Sequence, residues 1–345
     1  DNVIKWLDGG EVAIQDPPKG TGHAVLTAKA ALEDFDGVVL IMFADTPLVT
    51  SVTLRELARA INDGADIAVL GFKTADPDGY GRLITDANNQ IFKIVEQGDV
   101  GDAERQIDLV NGGVMAARSG ILFDLLQNVT PSVTTGEVYL TDIISLANSA
   151  GYRVTLRTTN EDEIVGVNDR QDLAHVESII QMRLRAAAMQ QGVTMHAPET
   201  VFLSGDVQFE QDVIIEPNVI ITGASVIGAG SIIKSFSHLD GAVLGPCCVI
   251  GPFARLRPGT VAEDGVKIGN FVETKTTKIG AGSKANHLSY IGDSTVGKDA
   301  NIGAGTITCN YDGFGKFKTL IGDGASIGSN TALVAPVSIG ARSEE

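Results

Sequence analysis

Ile215-Glu-Pro-Asn-Val-Ile-Ile221-Thr-Gly-Ala-Ser-Val-Ile227-Gly-Ala-Gly-Ser-Ile-Ile233-Lys-Ser-Phe-Ser-His-Leu239 carries an aliphatic residue at every sixth position. That spacing is neither the 3.6 of a helix nor the alternation of a plain strand. It is the hexapeptide signature of a parallel β-helix, in which each repeat forms one short side of a coil. The pattern returns at Ile250, Leu256, Ala262 and Ile268, and again at Ile321, Ile327, Leu333 and Ile339. Glycine often follows the aliphatic residue, as in Ile227-Gly228, Ile268-Gly269 and Ile302-Gly303. Inward aliphatic side chains then stack into a continuous apolar column, and the small neighbour lets the chain turn the corner. One interruption stands out. Cys309-Asn-Tyr-Asp-Gly-Phe-Gly-Lys-Phe-Lys318 is inserted before the repeat resumes at Ile321. It is either a tolerated surface insertion or a binding loop; its aromatic and cationic residues favour the second.

Upstream of the repeat the regime differs. Apolar runs at Val38 to Phe43, Ile67 to Phe72 and Leu109 to Ala116 alternate with helix-like stretches at Ser51 to Asn62 and Tyr139 to Ala150. Buried strands alternating with helices predict an α/β domain with a largely parallel sheet. A long helical pattern over Arg170 to Gln191, with no strand beside it, reads as a connecting arm. A chain of 345 residues is long enough for two domains. The boundaries expected are 1–168 for the first, 169–195 for the arm and 196–345 for the β-helix.

The net charge of −17 argues against nucleic acid, which needs a basic footprint. No apolar run reaches the roughly 18 residues of a membrane span, so membrane insertion is not expected. Three cysteines, none in a C-x-x-C, suggest small thiols in a reducing cytoplasm rather than disulfides or zinc. The charge is uneven. Nine Lys/Arg face six Asp/Glu between Arg255 and Lys318, a net +3 that leaves −20 elsewhere. That island is a chance fluctuation of surface lysines or a seat for a small anion.

Within the island, Arg257 and Lys275 are suited to phosphate, and Tyr290, Asn301 and Asn310 to sugar hydroxyls. His287 is its one histidine. A lone histidine is more often a packed residue than a catalyst, but imidazole is also the natural general base for an attacking amine. The polar neighbourhood of Tyr290, Lys275 and Lys284 tips the reading toward a base. In the first domain, Gly20-Thr-Gly-His-Ala24 lies between a strand-like Val12 to Gln15 and a helix-like Val25 to Leu32. Such a turn can receive phosphate or a base edge, or be no more than a turn. Asp45 ends the Val38 to Phe43 run, where ligands bind in open α/β sheets. It either caps the turn at Thr46-Pro47 or holds Mg²⁺ against phosphates.

Gly251-Pro-Phe-Ala-Arg-Leu-Arg-Pro-Gly259, Gly269-Asn-Phe-Val-Glu273 with Lys275, Gly282-Ser-Lys-Ala-Asn-His-Leu-Ser-Tyr290 and Asn301-Ile-Gly-Ala-Gly-Thr-Ile-Thr-Cys-Asn-Tyr-Asp-Gly313 together resemble a known family. It is that of the bacterial bifunctional N-acetylglucosamine-1-phosphate uridyltransferase/glucosamine-1-phosphate acetyltransferases. The resemblance implies a Rossmann-like α/β nucleotidyltransferase domain, a helical arm and a left-handed parallel β-helix of hexapeptide repeats working as a cytoplasmic homotrimer. It implies that His287 is the base, and that Arg257, Lys275, Tyr290, Asn301 and Lys316 hold glucosamine 1-phosphate. Ala304, Asn310, Tyr311 and Ser329 would contact acetyl-CoA, with the site formed between neighbouring subunits. In the first domain, Gln15, Gly20 and Thr21 would read the uracil of UTP. Gly81, Glu96 and Asn111 would hold the amino sugar, and Asp45 with Asn168 would ligate Mg²⁺.

The match departs from the family pattern in places. Pro18-Lys19 stands where Gln-Leu is more usual, and Ala44 precedes Asp45 where Gly is. The family's opening Gly-rich stretch and catalytic lysine do not occur, and the repeat ends at Ser343-Glu-Glu345. The expectation is an incomplete first domain with little uridyltransferase activity, and a weakened coenzyme site. Two other readings remain: a nucleotidyltransferase for another sugar phosphate with a trimerising β-helix, and a non-catalytic scaffold.

Overall fold

The computed structural model describes residues 10–86, 90–133 and 135–344, so the first nine residues of the expected 1–168 domain and Glu345 lie outside the described residues. The chain divides into two units, one through Val176 and one from Glu177. The division falls inside the long helix Arg170–Gln190, which covers the helical pattern but not the whole of the expected arm. The strand Thr194–Met195 already pairs into the β-helix, ahead of the boundary expected at 196.

In the first unit the elements are α1 (Thr21–Thr27), β1 (Val38–Ile41), α2 (Ser51–Asn62), β2 (Ile67–Lys73), β3 (Arg82–Thr85), β4 (Ile91–Val95), β5 (Leu109–Arg118), α3 (Ser119–Gln127), α4 (Ile143–Ser149) and β6 (Val154–Thr159). α2 begins where expected because Thr50 caps it, its hydroxyl accepting from the Thr53 N–H at 3.2 Å. Its buried stripe, Leu57, Ala60 and Ile61, packs on the sheet through Ala68, Leu70 and Val114. α3 and α4 pack with the opposite cluster around Ile67, Met115 and Leu122.

The sheet departs from the largely parallel one expected. Among the described strands of this unit only β2 and β6 pair in parallel; β5 is antiparallel to β1, β2 and β3. The helix-linked strands do run one way, but the ten-residue β5 is inserted between β1 and β2. A continuous apolar run reveals burial on both faces, not direction. The strand expected at Val12 to Gln15 is also absent: it pairs with no described strand, and Val12 and Ile14 are exposed. Alternation without a partner edge does not make a strand.

The second unit is the left-handed parallel β-helix. Its three faces are eight-stranded parallel sheets. The first runs from Thr194–Met195 to Ser326–Ile327, the second from Phe202–Leu203 to Ala332–Val334, and the third from Gln208–Phe209 to Val337–Ile339. Ile215, Ile221, Ile227 and Ile233 fall on the first, second, third and first faces in turn, and all are fully buried. Ile215, Ile233, Ile250, Ile268, Ala285, Ile302 and Ile327 are paired coil to coil on the first face. Burying such aliphatic side chains stabilises the fold by roughly 1.5–3 kcal/mol each. Where the column meets Thr274, the polar group is satisfied inside, by the Thr260 hydroxyl at 2.9 Å.

Glycines sit where coils touch. A Cβ on Gly269 would lie 2.0 Å from the Asn286 carbonyl oxygen of the next coil. Acidic side chains close several corners by accepting main-chain N–H groups one coil on: Glu210 from Ala229 at 2.7 Å, Glu216 from Ser235 at 2.9 Å and Glu263 from Ala281 at 3.2 Å. The expected insertion leaves between the strands Ile307–Cys309 and Thr319–Ile321. It is a short hairpin in which Tyr311 bridges Lys316 and Asp312 accepts the N–H groups of Phe314 and Gly315 at 2.9 and 2.8 Å.

Candidate functional site

The first unit holds a cleft of about 700 Å³ whose lining includes Thr21, Asp45, Gly81, Glu96, Asn111 and Asn168. Six of the first-domain residues expected to bind ligand are thus in one place. Gly20 and Gln15 stand behind the lining. Gly20 has φ 95°, and a Cβ there would lie 2.6 Å from the Val138 carbonyl oxygen, so only glycine fits this approach. Gln15 donates to the Gly20 carbonyl at 2.9 Å and contacts the His23 ring at the same distance. These contacts fix the entry to α1. The Thr21 hydroxyl then accepts from the Leu140 N–H at 3.0 Å, tying α1 to the loop before α4.

The side of the cleft expected to meet the amino sugar is built from neighbouring strands. Gly81 accepts from the Asn111 N–H at 2.8 Å, and the Asn111 side chain turns back to the Gly113 N–H at 3.1 Å. Glu96 accepts from the Thr141 hydroxyl at 2.6 Å. Across the cleft, the Val167 N–H reaches the Asp45 carbonyl at 2.8 Å, holding the Asp45 and Asn168 loops together. Asn168 also donates its N–H to Asp172 at 2.9 Å, and that hydrogen bond leads the causes holding the Asp172 carboxyl below the usual range.

Several lining residues had no signal in the sequence: Tyr80, Tyr139, Thr141, Glu161 and Asp172. Burial, then Glu161 and Asp76, raises the Tyr80 phenol. Burial, then Glu96 and Asp99, raises the Asp142 carboxyl just behind the cleft.

On the β-helix the expected residues gather at two corners. Where the second face turns into the third stand Arg257, Lys275, Asn310, Tyr311 and Lys316, and Tyr290, at the start of its second-face strand, sends its hydroxyl to the same corner. Arg257 is paired with Glu273 at 2.9 Å. Lys275 lies against Lys316, and that contact, then the charges of Lys316 and Arg257, holds its ammonium below the usual lysine range; Asp293 opposes the shift. Asn310 donates to the Asp293 carboxylate and reaches the Tyr290 hydroxyl at 3.5 Å. Glu273 and Asp293 were not foreseen.

Where the first face turns into the second stand His287, Ala304 and Ser329, stacked coil on coil. The His287 carbonyl accepts from the Gly305 N–H at 3.3 Å, and the Ala304 carbonyl from the Asn330 N–H at 2.7 Å. Asn301 lies just before this corner, on the first-face strand Asn301–Ile302. His287 is exposed, and its Nδ1 is 2.8 Å from the Asn270 side-chain oxygen. Within one chain, the histidine corner and the cation corner are at opposite ends of the second face.

Of the cysteines, Cys309 ends the second-face strand just before Asn310. Cys248 is buried, and desolvation pushes its thiol up to about 11, consistent with a packed, inert thiol. Among the described residues no helix is long and apolar enough to cross a membrane, and no group of three or more His, Cys, Asp or Glu could hold a metal.

Comparison with known proteins bears on both units. Residues 9–166 match the nucleotidyl transferase family. The bifunctional protein GlmU of Azorhizobium caulinodans is 50% identical over 329 residues, 95% of this chain and 73% of that protein. The bifunctional protein GlmU of Sphingopyxis alaskensis is 51% identical over 344 residues, 99% of this chain and 76% of that protein. That of Agrobacterium fabrum is 48% identical over 332 residues, 96% of this chain and 73% of that protein.

Proposed function

The chain belongs to the family of the bifunctional GlmU proteins, and from that membership and its two sites we propose that it works in UDP-N-acetylglucosamine synthesis. The β-helix transfers the acetyl group of acetyl-CoA to the 2-amine of glucosamine 1-phosphate. The cleft of the first unit joins N-acetylglucosamine 1-phosphate to the uridylyl group of UTP, releasing pyrophosphate.

The observation that carries the acetyltransferase half is the crowding of Lys275 against Lys316 and Arg257. Three cations gathered at one corner, offset by Glu273 and Asp293 alone among the carboxylates named there, make a seat for a phosphate. Tyr290 and Asn301 then bind hydroxyls. His287 takes the proton of the amine as its nitrogen attacks the thioester carbonyl; the N–C bond forms, the C–S bond breaks and the coenzyme leaves as a thiol. Ala304, Ser329, Asn310 and Tyr311 face the coenzyme. Because the histidine and cation corners are one face apart, we place each site between neighbouring copies of a homotrimer, one copy supplying the base and another the cations.

In the cleft, Thr21, backed by Gly20 and Gln15, reads the uracil, and Gly81, Glu96 and Asn111 hold the amino sugar. Asp45 and Asn168 offer Mg²⁺ two oxygen donors from adjoining loops. That set suits an ion that keeps several waters and binds phosphates rather than sitting in an all-protein cage. Bound there, Mg²⁺ would neutralise charge on the phosphates. Titration of the chain with UDP-N-acetylglucosamine and Mg²⁺ tests this half. Asp45→Ala is expected to weaken binding at least tenfold with Mg²⁺ and little without it; equal affinity for both proteins would contradict the assignment.

A further inference from the structure

The strands Lys267–Asn270 and Lys284–His287 are four residues long where most strands of the first face have two. Their extra length carries the pairing into the corner, so that Asn270 stands directly beside His287. Gly269 permits the close approach, since any Cβ there would strike the Asn286 carbonyl. The main chain is pinned on both sides. The His287 carbonyl accepts from the Ser289 hydroxyl at 2.8 Å, and the Leu288 N–H donates to the Asn270 carbonyl at 3.0 Å.

The 2.8 Å contact between Asn270 Oδ1 and His287 Nδ1 has a chemical consequence. An amide oxygen only accepts, so the hydrogen between the two atoms belongs to Nδ1. A neutral imidazole with its proton on Nδ1 has its lone pair on Nε2, the form a general base must have. We propose that Asn270 is the positioning residue of the acetyltransferase site, holding His287 in the Nδ1–H tautomer with Nε2 free for the amine proton. The inference rests on the acetyltransferase reading above. Choice of an amide rather than a carboxylate matters: a neutral acceptor orients the ring without adding an anion that would favour its protonated form. The charged side chains on the strands flanking the ring are Lys267 and Lys284, both cations.

The test compares pH profiles of CoA release for the wild-type chain, Asn270→Asp, Asn270→Leu and His287→Ala. Asn270→Leu is expected to lower kcat about ten- to a hundredfold, with KM for both substrates within about twofold, the usual cost of losing a group that orients a reactive histidine. Asn270→Asp keeps the acceptor and the shape, so it should recover most of kcat at alkaline pH. Its carboxylate stabilises the imidazolium, and the acid limb of the profile should move up by about one pH unit. An Asn270→Asp limb superimposed on the wild-type limb, or full activity in Asn270→Leu, would overturn this inference alone. Absence of His287-dependent release from the wild-type chain would overturn the acetyltransferase reading and this inference with it. The isosteric Asp variant carries the test if the Leu variant is destabilised.

Discussion

In the β-helix, Asn270 meets His287, and Asp293 meets Asn310, each pair one coil apart. In the α/β unit, Thr21, Asp45, Gly81, Glu96, Asn111, Thr141 and Asn168 converge on one cleft from seven places with no common interval. The repeating unit brings side chains together by register. The other does so by the fold of its loops. A change at one position should therefore travel differently in the two units: along the stack in the first, and no farther than a hydrogen-bond partner in the second.

The strongest challenge to that contrast is Gly269→Ala. The new Cβ meets main chain, which cannot swing aside, so the coil bearing His287 must shift. We expect a loss of about 3 kcal/mol or more and near-complete loss of acetyl transfer, with UDP-N-acetylglucosamine binding unchanged. Acetyl transfer at wild-type rate would show that register does not place the base.

Next in size is the cation corner. Hydrogen bonds to charged groups contribute about 1.5–3 kcal/mol, so Lys275→Ala should raise KM for glucosamine 1-phosphate about ten- to a hundredfold, read by steady-state kinetics. In the wild type, Lys275 loses its proton below the ordinary lysine range because Lys316 crowds it. Affinity for the phosphate should then fall as pH rises toward about 10.4. Lys316→Ala removes the crowding and should delay that pH-dependent fall; identical pH dependence in the two proteins would count against mutual repulsion.

The same contrast governs what could be read from the amino-acid sequence. Ile215 to Leu239 disclosed the β-helix because its period is the structure, and the resemblance placed His287, Lys275 and Lys316. Asn270 was within reach as well: once Ile268 and Ala285 are paired, register sets it beside His287. In the α/β unit the apolar runs marked β1, β2 and β5 but not that β5 runs against its neighbours. Thr141 could not be found, because nothing local to it announces that its hydroxyl reaches Glu96 from the far side of a cleft.

Smaller effects probe the loop-built unit. Thr141→Val removes the hydroxyl that donates to Glu96. A hydrogen bond to a carboxylate contributes about 1.5–3 kcal/mol. Because Glu96 itself remains to meet the ligand, only about 1 kcal/mol of this should be lost, a roughly fivefold loss of UDP-N-acetylglucosamine affinity by calorimetry. Acetyl transfer should not change, and a change would mean that the two sites are coupled.

Smallest is Asp142→Asn. Burial and the neighbouring Glu96 and Asp99 make the ionised Asp142 unfavourable in the folded state. Removing the charge should raise Tm by about 1 °C at pH 7. The gain should disappear as pH falls below about 3.9, where the wild-type carboxyl is protonated in both states. A lower Tm at pH 7 would show that Asp142 makes a favourable contact instead.

The central claim is that a stack of coils has been made into an acetyltransferase with His287 as its base. It is tested most directly by following free thiol when the chain is given acetyl-CoA and glucosamine 1-phosphate, with His287→Ala alongside. The account predicts CoA release that requires the amino sugar and falls at least a hundredfold in the variant. Equal release by the two proteins, or release indifferent to the amino sugar, would contradict it.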